Sequence, residues 1–85
     1  MEQKIKERLK EKIKNNAVSV GKNSTVRAAE KKELEFIVYA SNASPNLIKD
    51  VSNLGVEIYK YEGDSEALSI ACSKSFNISV IGAKK

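Results

Sequence analysis

Ile5, Leu9 and Ile13 recur at every fourth position in a stretch otherwise filled by Lys, Arg, Glu and Gln. That spacing predicts an amphipathic helix over residues 2–14, with Glu2–Lys6 and Glu7–Lys10 as supporting charge pairs and Asn15-Asn16 as its stop. A short apolar segment, residues 17–20, reads as a strand. A second helix follows to about Lys32, capped by Asn23 or Ser24, with Val26, Ala28 and Ala29 as its small apolar side. The run Glu35-Phe36-Ile37-Val38-Tyr39-Ala40 is continuous, aromatic and β-branched, the pattern of a central strand covered on both faces. Ser44 and Pro45 suit the N-cap and first position of a third helix over residues 45–54, and Gly55 suits its end. Residues 56–61 alternate like a strand with one exposed face. A fourth helix is predicted over residues 65–73, packed through Leu68, Ala71 and Cys72, and a last strand over residues 78–81. Ala83, Lys84 and Lys85 read as a frayed tail.

Helices alternating with strands imply an α/β sandwich around a mostly buried sheet. Eighty-five residues suffice for one domain, residues 1–85, and not for two cores. No apolar run approaches a membrane span, and the charged start lacks the apolar centre of a signal peptide, so a cytoplasmic setting is expected. The single cysteine, Cys72, agrees with a reducing compartment. Histidine is absent, which removes the commonest general base and metal ligand. We therefore expect no enzyme activity, cofactor or metal site.

Charge sharpens the picture. Residues 1–32 hold ten Lys/Arg and four acids, whereas residues 33–85 hold five Lys/Arg and seven acids. A basic half on a small domain suits a polyanion, nucleic acid above all, or simply a solvated lysine-rich helix. In open α/β sheets ligands gather beyond the C-terminal ends of the strands, so residues 21–25, 41–45 and 61–65 form the candidate rim. The loop at residues 74–77 enters a strand start. It joins that rim only if the last strand runs antiparallel to its neighbour.

Gly21-Lys22-Asn23-Ser24 opens a helix directly after a strand, where unpaired N–H groups and the helix dipole attract phosphate. Asn23 can pair with a purine edge, and Arg27, one turn later, can bind phosphate or a base in bidentate fashion. Phe76 offers a flat surface for an unstacked base, and Lys22 and Lys74 offer salt-sensitive phosphate contacts. A nucleotide-binding P-loop fails: Asn16 stands where its first glycine belongs, and Asn23 follows the lysine where Ser or Thr is required.

Three segments in order carry a resemblance: Val20-Gly21-x-x-x-Thr25-Val26-Arg27; Phe36-Ile37-Val38-Tyr39-Ala40-Ser41-Asn42-x-x-Pro45; and Glu66-Ala67-Leu68-x-x-Ala71-Cys72-x-Lys74-x-Phe76-x-Ile78-x-Val80. Together they resemble the kink-turn-binding ribosomal protein superfamily over nearly the whole chain. The pattern departs at Ser69 and Ser73, where relatives often carry glycine, and at Ser24, often Glu, Gln or basic. The resemblance implies an α/β fold, a three-layer α-β-α sandwich on a four-stranded mixed sheet, that grips a sharply bent internal loop of RNA. It maps RNA contacts onto Gly21, Lys22, Asn23, Ser24 and Arg27, onto Ser41 and Asn42, and onto an apolar wedge of Phe76 and Ile78 with Lys74 nearby. The partner expected is ribosomal RNA in the large subunit, with other ribosomal proteins as neighbours and a monomer when free. A stand-alone kink-turn protein of guide or regulatory ribonucleoproteins and a small protein-interaction module are the alternatives.

Overall fold

The computed structural model describes residues 3–85. Its elements run α1 (Gln3–Lys14), β1 (Val18–Val20), α2 (Lys22–Glu30), β2 (Leu34–Tyr39), α3 (Pro45–Ser52), β3 (Glu57–Lys60), α4 (Ser65–Ala71) and β4 (Val80–Lys84). The expected start of the first helix at residue 2, and its Glu2–Lys6 pair, lie outside the described residues. The strands form one sheet in the order β1-β4-β2-β3. β2 and β3 are parallel, while β4 is antiparallel to both β1 and β2. The sheet is therefore mixed. No helix among the described residues is long and apolar enough to cross a membrane.

The two faces of the sheet fill with two apolar clusters. Leu9 of α1, Leu68 of α4 and Cys72 at the C-cap of α4 pack with Phe36, Val38, Ala40, Ile81 and Ala83. Ala28 and Ala29 of α2 and Val51 of α3 pack with Leu34, Ile37 and Val80. Alternation along β2 and β4 sends neighbouring side chains to opposite layers, as a doubly covered sheet requires. The α-β-α sandwich follows. Phe36 meets Tyr59 edge-to-face, with ring centroids 5.9 Å apart.

One irregularity has a clear use. Leu34 pairs with Lys84 and Phe36 with Ala83, so Glu35 is an extra residue in β2. This bulge lets Leu34 face α2 while Phe36 faces α1. It also aims Glu35 at α1, where its carboxylate meets Arg8 at 2.7 Å and Lys12 at 3.3 Å. Gly82 serves a similar purpose in β4. A Cβ there would stand 2.9 Å from Leu34 Cδ1 and 3.2 Å from Thr25 Cγ2, so a side chain at this position would require Leu34 and Thr25 to shift.

Several expectations shift by a few residues. The helices at residues 45–54 and 65–73 end earlier, at Ser52 and Ala71. Residues 57–60 form an edge strand half-covered on both faces, since Ile58 packs with the α2/α3 layer and Tyr59 with the α1/α4 layer. The last strand spans Val80–Lys84 instead of 78–81. Its end is not frayed, because β4 is central: Lys84 N–H donates to the Ala17 carbonyl and Lys85 N–H to that of Glu33.

Three helices end on a non-glycine residue in the left-handed region: Asn16 (φ 55°), Lys32 (φ 58°) and Ser73 (φ 57°). Each closes the same way. Ala17, Glu33 and Lys74 donate their N–H groups back to the carbonyls of Lys12, Ala28 and Ser69, the pattern of a Schellman motif. Ser73 therefore occupies the position that glycine fills at least cost.

Candidate nucleic-acid interface

Because β4 opposes β1 and β2, the segment that enters it lies at the same end of the sheet as the strand-to-helix turns. Backbone bonds fasten the two together. Gly21 N–H donates to the Val80 carbonyl at 3.0 Å, and Ala40 N–H to that of Ser79 at 2.8 Å. The glycine elbow and the aromatic loop thus meet on one rim.

Gly21 itself is the N-cap of α2, at φ 89° and ψ 162°. That backbone region is essentially restricted to glycine. The turn is tight enough for the helix to begin at the next residue, so Asn23 and Ser24 lie within its first turn instead of capping it. No side chain caps α2 among the described residues, and its first intrahelical bond runs from Thr25 N–H to the Gly21 carbonyl. The N–H groups of Lys22, Asn23 and Ser24 are thus the open donors of this end, beside the exposed side chains of the same residues. Thr25 faces inward and donates its hydroxyl to the Ser19 carbonyl at 3.3 Å, which pins the helix to β1.

A groove of about 530 Å³ opens between this elbow and the aromatic loop. Val20, Gly21 and Lys22 form one wall, Ser44, Asn46 and Leu47 of the α3 start another, and Phe76 to Val80 the third. Phe76 is 56% exposed, one of two large apolar side chains so placed among the described residues. The other, Ile70, stands on α4, on the α1/α4 layer.

The structure redistributes the remaining candidates. Ile78 is 1% exposed and belongs to the α1/α4 core, so it anchors the aromatic loop and offers no surface as a wedge. Its apolar character was visible in the sequence, but its burial follows from packing with Leu9, Phe36, Leu68 and Cys72 ahead of β4. Lys22 is ion-paired with Asp50 of α3 at 2.8 Å, although both ends are about half exposed. Ser41 N–H donates to the Gly63 carbonyl. Asn42 Oδ1 accepts from Ser65 N–H at 2.9 Å, and its Nδ2 donates to Ser65 Oγ at 3.4 Å. The Ser65 carbonyl in turn accepts from Ile78 N–H. Asn42 therefore braces the rim, linking the β2–α3 turn to α4 and through it to the aromatic loop. Ser24 and Arg27 do not line the Phe76 groove; they face a second depression on the other flank of α2. Lys74 is exposed beside Cys72, whose thiol burial pushes up in pKa while the Lys74 charge pulls it down. Ser44 lies on the expected rim at residues 41–45, whereas sequence reasoning missed Asn46 and Leu47 as groove walls. Their Ser-Pro helix start was legible, but not that it faces the loop before β4.

Comparisons with known proteins agree with this architecture. A sequence model described as the ribosomal protein L7Ae/L30e/S12e/Gadd45 family matches residues 3–85. The large ribosomal subunit protein eL30 of Methanosarcina mazei is 36% identical over 69 residues, which cover 81% of this chain and 67% of that protein. The protein of the same name from Methanospirillum hungatei is 32% identical over 78 residues, 91% of this chain and 82% of that one. Among solved structures, a 15.5 kD RNA-binding protein of Giardia lamblia superposes with a TM-score of 0.77 at 21% identity, covering 100% of this chain and 78% of that one. A protein of unknown function from Bacillus halodurans C superposes with a TM-score of 0.80 at 18% identity, over 92% and 81% of the two chains.

Proposed function

The chain belongs to the ribosomal protein L7Ae/L30e/S12e/Gadd45 family, and from that premise we propose that it is a non-enzymatic RNA-binding protein that stabilises a kink-turn-like internal loop of ribosomal RNA in the large subunit. The observation that carries this reading is the exposed Phe76 ring on the same groove as the open start of α2. A folded RNA is recognised where its bases are unstacked, by apolar contact, edge hydrogen bonds and phosphate neutralisation. The groove supplies the first through Phe76 and Leu47. Asn23 and Asn46 supply amides for the second. The α2 N–H groups and Lys22 supply the third, with Lys22 exchanging Asp50 for a phosphate.

The protein performs no chemistry in this reading. Its binding energy favours the bent RNA over extended conformers in proportion to its preference for the bend. The eL30 names of the archaeal relatives support the ribosomal assignment. Gel-shift titration against a kink-turn RNA and a straight duplex of equal length tests the RNA preference, and equal affinities would refute it. Sedimentation of the native protein with large subunits tests the ribosomal placement, since a stand-alone protein would stay in the light fractions.

A further inference from the structure

The second depression lies on the opposite flank of α2 from Phe76, with a volume of about 440 Å³. β1 forms its floor, and Ser24, Arg27, Ala28, Lys31, Glu33 and Lys84 stand around it. Arg27 and Lys31 are one helical turn apart, so they share a face of α2. Lys84 reaches the same space from the end of β4. Three cations therefore face one acid.

Only part of the basic surface is held in ion pairs. Arg8, Lys12 and Lys22 are held in ion pairs with Glu35 and Asp50. Arg27, Lys31 and Lys84 have no ion-pair partner among the described residues. The floor adds backbone donors. Gly21 N–H and the Ala17 carbonyl both bond to β4, so the odd-numbered residues of this stretch face β4. In an antiparallel ladder the even-numbered ones, Val18 and Val20, then turn their N–H groups to the outer edge of the sheet. Cationic side chains and outward N–H groups converge where α2 overhangs a sheet edge.

We propose that this cleft holds sugar-phosphate backbone of the bound RNA, with Lys31 and Lys84 as phosphate contacts beside Arg27. This rests on the kink-turn reading. The RNA straddles α2, an unstacked base in the Phe76 groove on one flank and a phosphate run in the cationic cleft on the other. Ser24 and Arg27 lie on the cleft side and Lys22 on the groove side, so the two contacts are continuous around the helix start. The alternative occupant is an acidic peptide pairing with the free edge of β1.

The test is the salt dependence of binding to a kink-turn RNA and to a straight duplex, for the wild type, Phe76→Ala and the double variant Lys31→Gln/Lys84→Gln, with circular dichroism to verify folding. Removing two phosphate contacts flattens the plot of log K against log salt by about 1.4–1.8. The double variant is expected to show that change, while Phe76→Ala weakens binding with the slope intact. A folded double variant with the wild-type slope would overturn the cleft while leaving the kink-turn reading untouched. Wild-type protein that binds both RNAs equally, with the slope still flattened in the double variant, would refute the kink-turn reading and keep the cleft as a general phosphate site. Amide shifts at Val18 and Val20 on adding a glutamate-rich peptide, and none on adding RNA, would give the cleft to a protein partner and overturn the proposal.

Discussion

On one side of α2 the chain exposes an aromatic ring beside half-buried Leu47; on the other it exposes Arg27 and Lys31, with half-buried Lys84, around a sheet edge. The two flanks share a single helix, yet they differ in what they offer a ligand. The first supplies mainly apolar contact, whose strength barely responds to salt, with Lys22 as the one cation in its lining. The second supplies charge, whose contribution to nucleic-acid binding falls as salt rises. In the proposed mode of binding, one short helix keeps stacking mostly on one flank and charge mostly on the other, so that each is open to change with little effect on the other.

The largest effect is expected where the flanks join. Gly21→Val would force a β-branched residue into a backbone region reserved for glycine, at a cost of about 1–3 kcal/mol. The open space around Gly21 gives no steric reason for this loss; the φ of 89° does. Thermal unfolding should show the destabilisation, and RNA binding should weaken through both flanks at once. Phe76→Ala should come next, with about 1–3 kcal/mol of RNA affinity lost. The ring is 56% exposed, so the melting temperature should hardly move. A large drop in melting temperature would show that the ring supports the fold and break the distinction between the flanks.

Asn42→Ala removes the acceptor for Ser65 N–H and should cost about 0.5–1.5 kcal/mol of stability. Asn42→Asp retains an acceptor and should recover most of it. Because Ser65 leads to Ile78, broadened Phe76 signals by NMR should accompany the alanine variant, with Arg27 and Lys31 unaffected. Ser73→Gly should raise stability by a smaller amount, about 0.5–1 kcal/mol, since Ser73 sits in a left-handed conformation. The smallest effect is expected for Asp50→Asn. It frees Lys22 from an exposed pair of the kind worth about 0–1 kcal/mol, so RNA binding should tighten a few-fold at low salt.

Much of this architecture was legible in the residue pattern. The four-residue spacing of Ile5, Leu9 and Ile13, the buried run from Phe36 to Ala40 and the Ser44-Pro45 helix start each reflect local chemistry that tertiary packing did not override. What escaped depends on long-range pairing. The end of β4 is ordered because β1 and β2 flank it, and no local feature of Ala83-Lys84-Lys85 announces that. Ile78 is buried because residues distant in sequence, Leu9, Phe36 and Leu68 among them, close over it. The bulge at Glu35 was invisible because a charged residue at a strand start reads as an ordinary edge. In the site, the meeting of Gly21 with the Phe76 loop followed once β4 was antiparallel. The bracing role of Asn42 and the pairing of Lys22 with Asp50 required coordinates, since their partners lie 23 and 28 residues away.

The most direct measurement is a ¹⁵N-resolved NMR titration of the protein with a kink-turn RNA. The expected result is perturbation of Gly21, Lys22, Asn46, Phe76 and Asn77 on one flank and of Arg27, Lys31 and Lys84 on the other, with Asn15, Asn53 and Gly55 quiet. Perturbation centred on those last three residues, or a Phe76 loop that does not respond, would contradict it.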